Sequence, residues 1–244
     1  MLDTPRAAAD WCTGADTPLD ALLSALEQLV AADATGTLLE LPGAPSFRPA
    51  AVAAAVADRR GVAASRDTAR PDPARSTAQC RVIGVEPGAV RVLVETLAGL
   101  ADGALVELAV DGVTAVVSER TTHVVAPADA LPTDPAEAGN RRWDVLGDKG
   151  LRVTAPRGVL GMVGYVVPGY AGSAARGPLD GSGRVRPVPG ARVLVLDAAG
   201  APVPPGVTGQ VWVGGVAQAG PEGGELLPTG DRAHWTTDGW LKFA

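Results

Sequence analysis

Thr229, Gly230 and Asp231 stand in the stretch LLPTGDRAHWTTDGWLKFA, Leu226 to Ala244, and put a hydroxyl and a carboxylate on either side of a glycine. A carboxylate there can accept hydrogen bonds from hydroxyl or amide donors. Trp235, the Asp238-Gly239 turn signal and a short apolar strand follow, surroundings that suit a working site better than a chain end. His123 and His234 are the only histidines, and neither has a Ser or Cys nucleophile placed beside it. Cys12 and Cys80 lie far apart, outside any C-x-x-C spacing. The sequence therefore draws no metal-ligand cluster and no nucleophile–base pair.

The elements that must position these residues belong to a turn-rich chain. At 244 residues it is long enough for one large domain or two small ones with a core that needs neither disulfides nor metal. Gly 31 and Pro 21 are high, yet 46% of residues are hydrophobic, which fits a folded chain of many short strands. A formal charge of −6 and the lack of a basic run exclude a phosphate-backbone partner, so no nucleic acid is expected. The start, MLDTPRAAADWCTG, has no basic segment leading into an apolar one, and no apolar run reaches the roughly 20 residues that span a bilayer. With only two thiols, the expectation is a cytoplasmic protein without a membrane partner.

After DTPLD, where Asp16 or Thr17 caps and Pro18 takes the first turn, Leu19, Leu22, Leu23, Leu26, Leu29 and Val30 recur at helical spacing. Leu22, Leu26 and Leu29 need a surface to bury against. A short strand in TGTLLE, a second helix from about Pro49 to Arg60 and an exposed loop in AASRDTARPDPARSTAQ follow. CRVIGVEPGAVRVLVETLAGLADGALVELA then reads as strand, helix over Val92 to Leu100, and strand. From Leu151 the texture changes: ARVLVLD, GQVWVGG and GWLKFA are short strands between turn residues, and Asp238-Gly239 signals a hairpin. The organisation expected is α/β over 1–150 and β over 151–244.

The stretch from Gly183 to Gly215, GRVRPVPGARVLVLDAAGAPVPPGVTGQVWVGG, and the LLPTGDRAHWTTDGWLKF beyond it carry a series of motifs in order. They resemble the adenylation domains of nonribosomal peptide synthetases and their acyl-CoA-synthetase relatives. Upstream, RTTHVVAPADAL and ETLAGLADGALVELA resemble elements of the same domains. The resemblance implies part of an adenylate-forming-enzyme core: an α/β subdomain followed by a distorted antiparallel β-barrel subdomain that stops at the inter-lobe hinge.

In that family the Asp of the T-G-D triplet holds the ribose hydroxyls of ATP, so the resemblance assigns a nucleotide site to Asp231 with Thr229 and Gly230. A strand-end Asp capping a turn fits Asp231 equally well. The family's Y-G-P-T-E motif stacks adenine on its Tyr. Here the corresponding place reads GMVGYVVPGYAGSAA, where Tyr165 and Tyr170 are the candidates, either as base-stacking rings or as core aromatics, and no Thr-Glu pair follows. The phosphate loop is at best LPGAPSFRP, without Thr or Lys. The family's Tyr-Arg before T-G-D is Leu227-Pro228, and neither Lys149 nor Lys242 matches its catalytic lysine. Trp235 and Trp240 match barrel aromatics of the core.

No catalytic residue, no metal ligand and no cofactor are expected of the chain by itself. The leading function is a non-catalytic pseudo-adenylation domain, a scaffold or docking element in a nonribosomal peptide synthetase pathway. Its partners would be a peptide-synthetase module, a carrier protein, an MbtH-like protein or a second copy in a homodimer. One alternative is half of a split amino-acid or acyl adenylating enzyme, which brings in ATP and Mg²⁺. The other is a small-ligand binder using the former nucleotide cleft.

Overall fold

Prolines at the first helical position open two helices, α1 (Pro18–Ala31) and α2 (Pro49–Ala64). These belong to a computed structural model that describes residues 18–32, 36, 38, 45–64, 80–84, 88–110, 112–113, 117–147, 153, 155–220 and 225–244. Of the expected strand in TGTLLE only Gly36 and Leu38 are described, and the loop over 65–79, Lys149 and the capping Asp16 and Thr17 lie outside the described residues. In α1, Leu26 is buried, but Leu29 and Val30 stay 41% and 37% exposed, and the side chains of Leu19, Leu22 and Leu23 lie outside the described residues. In α2, Val52, Ala55, Val56 and Arg59 share one face and all are buried.

Strand β1 (Cys80–Gly84) leads through α3 (Ala89–Ala101) to β2 (Leu105–Ala109), which pairs parallel with it, a strand–helix–strand crossover. Next come β3 (Thr121–Pro127), a 3-10 turn at Ala128–Ala130, the short α4 (Pro135–Ala138) and β4 (Arg142–Gly147). Asp134 caps α4, its Oδ1 accepting from the Ala136 N–H at 2.8 Å. The remaining strands are β5 (Leu160–Val166), β6 (Ser173–Pro178), β7 (Arg184–Pro187), β8 (Ala191–Leu196), β9 (Gly209–Gly215), β10 (Leu227–Trp235) and β11 (Leu241–Phe243). The described strands form one sheet of order β2-β1-β3-β4-β5-β6-β7-β11-β10-β9-β8.

Strands β2, β1, β3, β4 and β5 run parallel, and pairing becomes antiparallel from β5 to β6 onward. The change thus falls one strand beyond Leu151. All five residues of β1 are buried, as expected of a parallel strand covered on both faces. The antiparallel strands curl, bringing β8 at the sheet's end against β6 and β7, in keeping with a distorted barrel. The glycine-rich texture near β5 has a steric cause: a Cβ at Gly161 would lie 1.9 Å from the Trp143 carbonyl oxygen. At the hairpin, the Thr236 N–H donates to the Trp240 carbonyl at 2.8 Å and closes the Asp238-Gly239 turn between β10 and β11.

Helices α2 and α3 are fastened to the parallel strands by buried charge. Asp144 on β4 receives Arg59 from α2 at 2.9 Å and Arg142 at 2.9 and 3.0 Å, and the His123 Nε2 lies 3.2 Å from its Oδ2. Arg59 also meets Glu95 of α3 at 2.5 Å. Arg81 of β1 lies 3.8 Å from Glu95 and 3.6 Å from Asp102. Three guanidiniums thus face three carboxylates, so the cluster is close to neutral. Burial alone would raise the Asp144 carboxyl, but His123, Arg59 and Arg142 hold it well below the usual carboxylate range. Burial lowers the His123 imidazole from 6.5, with Arg81 and Arg59 reinforcing the shift and Asp144 opposing it.

Removing one member of a buried ion-pair cluster leaves its partners uncompensated, at a cost of about 3–5 kcal/mol. Asp144→Ala is therefore expected to lose stability of that order, read as a lower urea midpoint, and far more than Asp180→Ala at the exposed pair with Arg184. The pH dependence follows from His123. Its folded pKa is lowered, so the stability of burying it neutral is fully present above about pH 6.5 and is lost as pH falls through the folded value. Urea midpoints are expected to drop below pH 6.5, and His123→Gln to flatten that limb. An unchanged limb in the variant would assign the acid sensitivity to another group.

Candidate functional site

Pairing between β10 and β9 shifts register between Pro228 and Arg232, and Thr229, Gly230 and Asp231 occupy that irregularity. Gly230 has φ 80°, a left-handed conformation that suits glycine at a bulge. The Thr229 hydroxyl donates to the Val211 carbonyl at 3.0 Å and accepts from the Asp231 N–H at 3.1 Å, pinning the bulge to β9. Asp231 points inward, and its Oδ2 accepts a hydrogen bond from the Tyr165 hydroxyl at 2.6 Å, a short charge-assisted contact.

Tyr165 lies on β5, only 1% exposed, its ring tilted 52° against Phe243 of β11 with centroids 4.6 Å apart. The four positions Thr229, Gly230, Asp231 and Tyr165 are thus brought together from two strands, with Tyr165 and Asp231 66 residues apart in sequence. Tyr170 is placed elsewhere: its backbone bridges to Gln218 and it is 2% exposed. Burial, reinforced by Asp58, pushes its hydroxyl up to about 12.

In the remnant of the phosphate-loop stretch, Leu41 to Ala44 lie outside the described residues. Phe47 is buried and the Ser46 carbonyl accepts from the Gly220 N–H at 3.2 Å. His123 belongs to the buried ion cluster, and Cys80 is a buried free thiol whose pKa burial raises. Among the described residues, no group of three His, Cys, Asp or Glu converges as a metal site, and no described helix is long and apolar enough to cross a membrane. The expectation that Trp240 is a core aromatic is corrected. It is half-buried, with the Arg186 and Arg184 guanidiniums 4.2 and 4.8 Å from its ring, because its position alternates to the side of the strand facing away from Leu241.

A cavity of about 330 Å³ opens at the carboxyl ends of β1, β2 and β3, lined by Gly84, Ala109, Pro127 and Asp129 among others. There the strand order reverses, the usual place for ligands in an open α/β sheet. None of the predicted site residues lines it. The motif reading also missed the buried charges Arg59, Arg81, Glu95, Asp144 and the Asp58–Arg176 pair at 2.6 Å. The signal was present: each interrupts an otherwise apolar strand or helix face.

No family model matches the chain. It is 39% identical over 77 residues to the phosphinothricin tripeptide synthetase PhsB of Streptomyces viridochromogenes, covering 24% of this chain and 6% of that protein. It is 30% identical over 186 residues to the probable non-canonical nonribosomal peptide synthetase CymA of Salinispora arenicola, covering 64% of this chain and 2% of that protein. The chain thus spans a small fraction of these curated relatives. Among solved structures, CmiS6 matches with a TM-score of 0.61 at 18% identity, over 82% of this chain and 58% of that one. The NpsA N-terminal subdomain of Klebsiella oxytoca, in complex with 3-hydroxyanthranilyl-AMSN, matches with 0.59 at 14% identity and the same coverage. NpsA-ThdA, an artificially fused adenylation–PCP di-domain from Klebsiella oxytoca, matches with 0.59 at 15% identity over 82% of this chain and 43% of that one.

Proposed function

We propose, from the premise that this chain is part of an adenylate-forming core of the nonribosomal peptide synthetase kind, that it works as a non-catalytic pseudo-adenylation domain, a scaffold or docking element in a peptide synthetase pathway. The observation that carries this reading is the 2.6 Å hydrogen bond from Tyr165 to Asp231. By resemblance, Asp231 is the group that would hold a nucleotide's ribose. Its carboxylate is instead engaged by a phenol from within the fold. The two rings that resemblance offers for adenine stacking, Tyr165 and Tyr170, are 1% and 2% exposed and present no free face.

The donor set fits ATP and Mg²⁺ poorly. A triphosphate needs several backbone or cationic donors at once, and Phe47 and Arg48 stand where a Thr- and Lys-bearing loop would be. The partners of such a scaffold are a peptide-synthetase module, a carrier protein, an MbtH-like protein or a second copy of the chain. The adenylation–PCP di-domain among the structural neighbours supports a carrier-protein context.

The test is ATP–pyrophosphate exchange with the purified chain across amino and aryl acids. Loss of a single transition-state donor typically costs about 10²–10³ in rate, so exchange at the no-enzyme level is expected. Exchange clearly above that level overturns the reading. Tyr165→Phe separates a structural contact from a blocked site. It is expected to lose about 1–3 kcal/mol of stability, because a partly buried carboxylate loses its donor, and to gain no ATP binding by calorimetry. Micromolar ATP binding in the variant would identify Tyr165 as a plug on a competent site.

A further inference from the structure

Side chains of adjacent antiparallel strands that face each other in register share a sheet face. On β8, β9, β10, β11 and β7, Val193, Val211, Ala233, Leu241 and Val185 are buried on the inner face. The alternation sends Arg192, Arg232, Lys242, Arg184 and Arg186 to the outer one. Lys242 lies directly opposite both Arg184 and His234. Of these basic residues Arg184 and His234 are half-buried and the others exposed, and no described strand residue alternating to this face is acidic. Asp180 and Asp238 stand only at its rim, in loops. Acidic residues outnumber basic ones in the chain by 27 to 21, so an outer face of unselected charge would carry both signs.

Beside Arg186 on the same side of the sheet lies a cavity of about 410 Å³. Met162, Val188 and Trp240 line it, and at its edge Asp58 of α2 pairs with the buried Arg176, which sits opposite Arg186 in register. Arg186 is held over Trp240 by a hydrogen bond to the Asp238 carbonyl at 2.7 Å, so its charge is already oriented.

We infer that this face is a docking surface for an acidic protein segment that carries one apolar side chain, with the carboxylates on Arg186, Lys242 and Arg232 and the apolar group in the Trp240 cavity. Charge complementarity selects the occupant. Arg186, Lys242 and Arg232 lie on neighbouring strands, each offset by two residues from the next, so they form a diagonal row about 7–8 Å apart, close to the roughly 7 Å between alternate side chains of an extended acidic segment. A long polyanion is disfavoured, because beyond these few cations it meets the rest of a chain of net charge −6. A well-packed apolar anchor ringed by polar contacts is the usual pattern of a recognition hot spot. The inference stands apart from the nucleotide site and does not depend on it.

The test is fluorescence anisotropy of the full chain with a short fluorescein-labelled Glu/Asp peptide bearing one central Leu. Binding is expected to weaken with added salt, with replacement of the Leu by Ser, and by at least about tenfold in the triple variant Arg186→Glu, Arg232→Glu, Lys242→Glu. The single reversals, each a few-fold, carry the test if the triple variant fails to fold. Arg157→Glu, on an exposed turn off this face, is expected to leave binding unchanged. Equal binding by the reversed variants, equal loss in Arg157→Glu, or tighter binding of a single-stranded oligonucleotide or phosphatidylserine vesicle would overturn the proposal. So would a dimer of the chain that the same reversals dissociate.

Discussion

A carboxylate buried at Asp144 is tenable only when cations reach it, and the arrangement of α2, α3 and the parallel strands follows from that requirement. Arg59 comes from α2 and Arg142 from β4 itself, and the His123 imidazole of the neighbouring β3 adds a polar contact at 3.2 Å. Each of these residues lies within an element that otherwise buries apolar side chains. A helix shift that unpaired Arg59 would strand Asp144 and Glu95 together, so the ion pairs act as a register mark for helices whose small alanine-rich faces could slide with little penalty. The Asp58–Arg176 pair repeats the device from the residue just before Arg59 and ties α2 to β6. Burial and the nearby Arg59 charge both lower Arg176, to about 10, against the pull of Asp58. The second fastening is therefore electrostatically poorer than the first.

The Tyr165–Asp231 contact plays the corresponding role for the antiparallel strands. β5 is the last parallel strand, β10 lies several strands away along the sheet, and only a curled sheet brings their side chains within 2.6 Å. Phe243 against the Tyr165 ring closes the same junction from β11. Alternation along β10 puts Leu227, Thr229, Asp231 and Ala233 on the same, more buried side, and the register shift beside Gly230 keeps that parity while lengthening the strand against β9.

Elements with strong local signals were legible in the sequence. Pro18 and Pro49 mark helix starts, the leucine and valine spacings give α1 and α3, and the Asp238-Gly239 turn sits between two paired strands. Charged residues were less legible, because their partners are remote: Arg59 and Asp144 are 85 residues apart, and Tyr165 and Asp231 are 66. Periodicity places Arg59 on the buried face of α2 but does not say which carboxylate meets it. Trp240 was misread for a related reason. Resemblance fixes its place in the order of elements, whereas the side of the strand it faces depends on register with β7.

The same limit hid the basic outer face. Read along the chain, Arg184, Arg186, Arg192, Arg232 and Lys242 are scattered among Asp180, Asp197, Asp231 and Asp238, and no run of like charge forms. Folding sorts them by two independent rules. Strand alternation separates Asp231, which faces inward, from Arg232, which stays outside. Turn chemistry holds the other acids at strand ends, where Asp197 Oδ1 accepts from the Ala199 and Ala201 N–H groups at 2.9 Å and Asp180 Oδ1 from the Ser182 N–H at 2.9 Å. Of these acids only Asp180 also reaches a cation of the strand face, its Oδ2 lying 3.5 Å from Arg184, and Arg186, Arg192, Arg232 and Lys242 have no ion-pair partner among the described residues. A chain acidic in sum therefore presents a sheet face that is basic, and the sign of a linear charge count says little about the field a partner meets there.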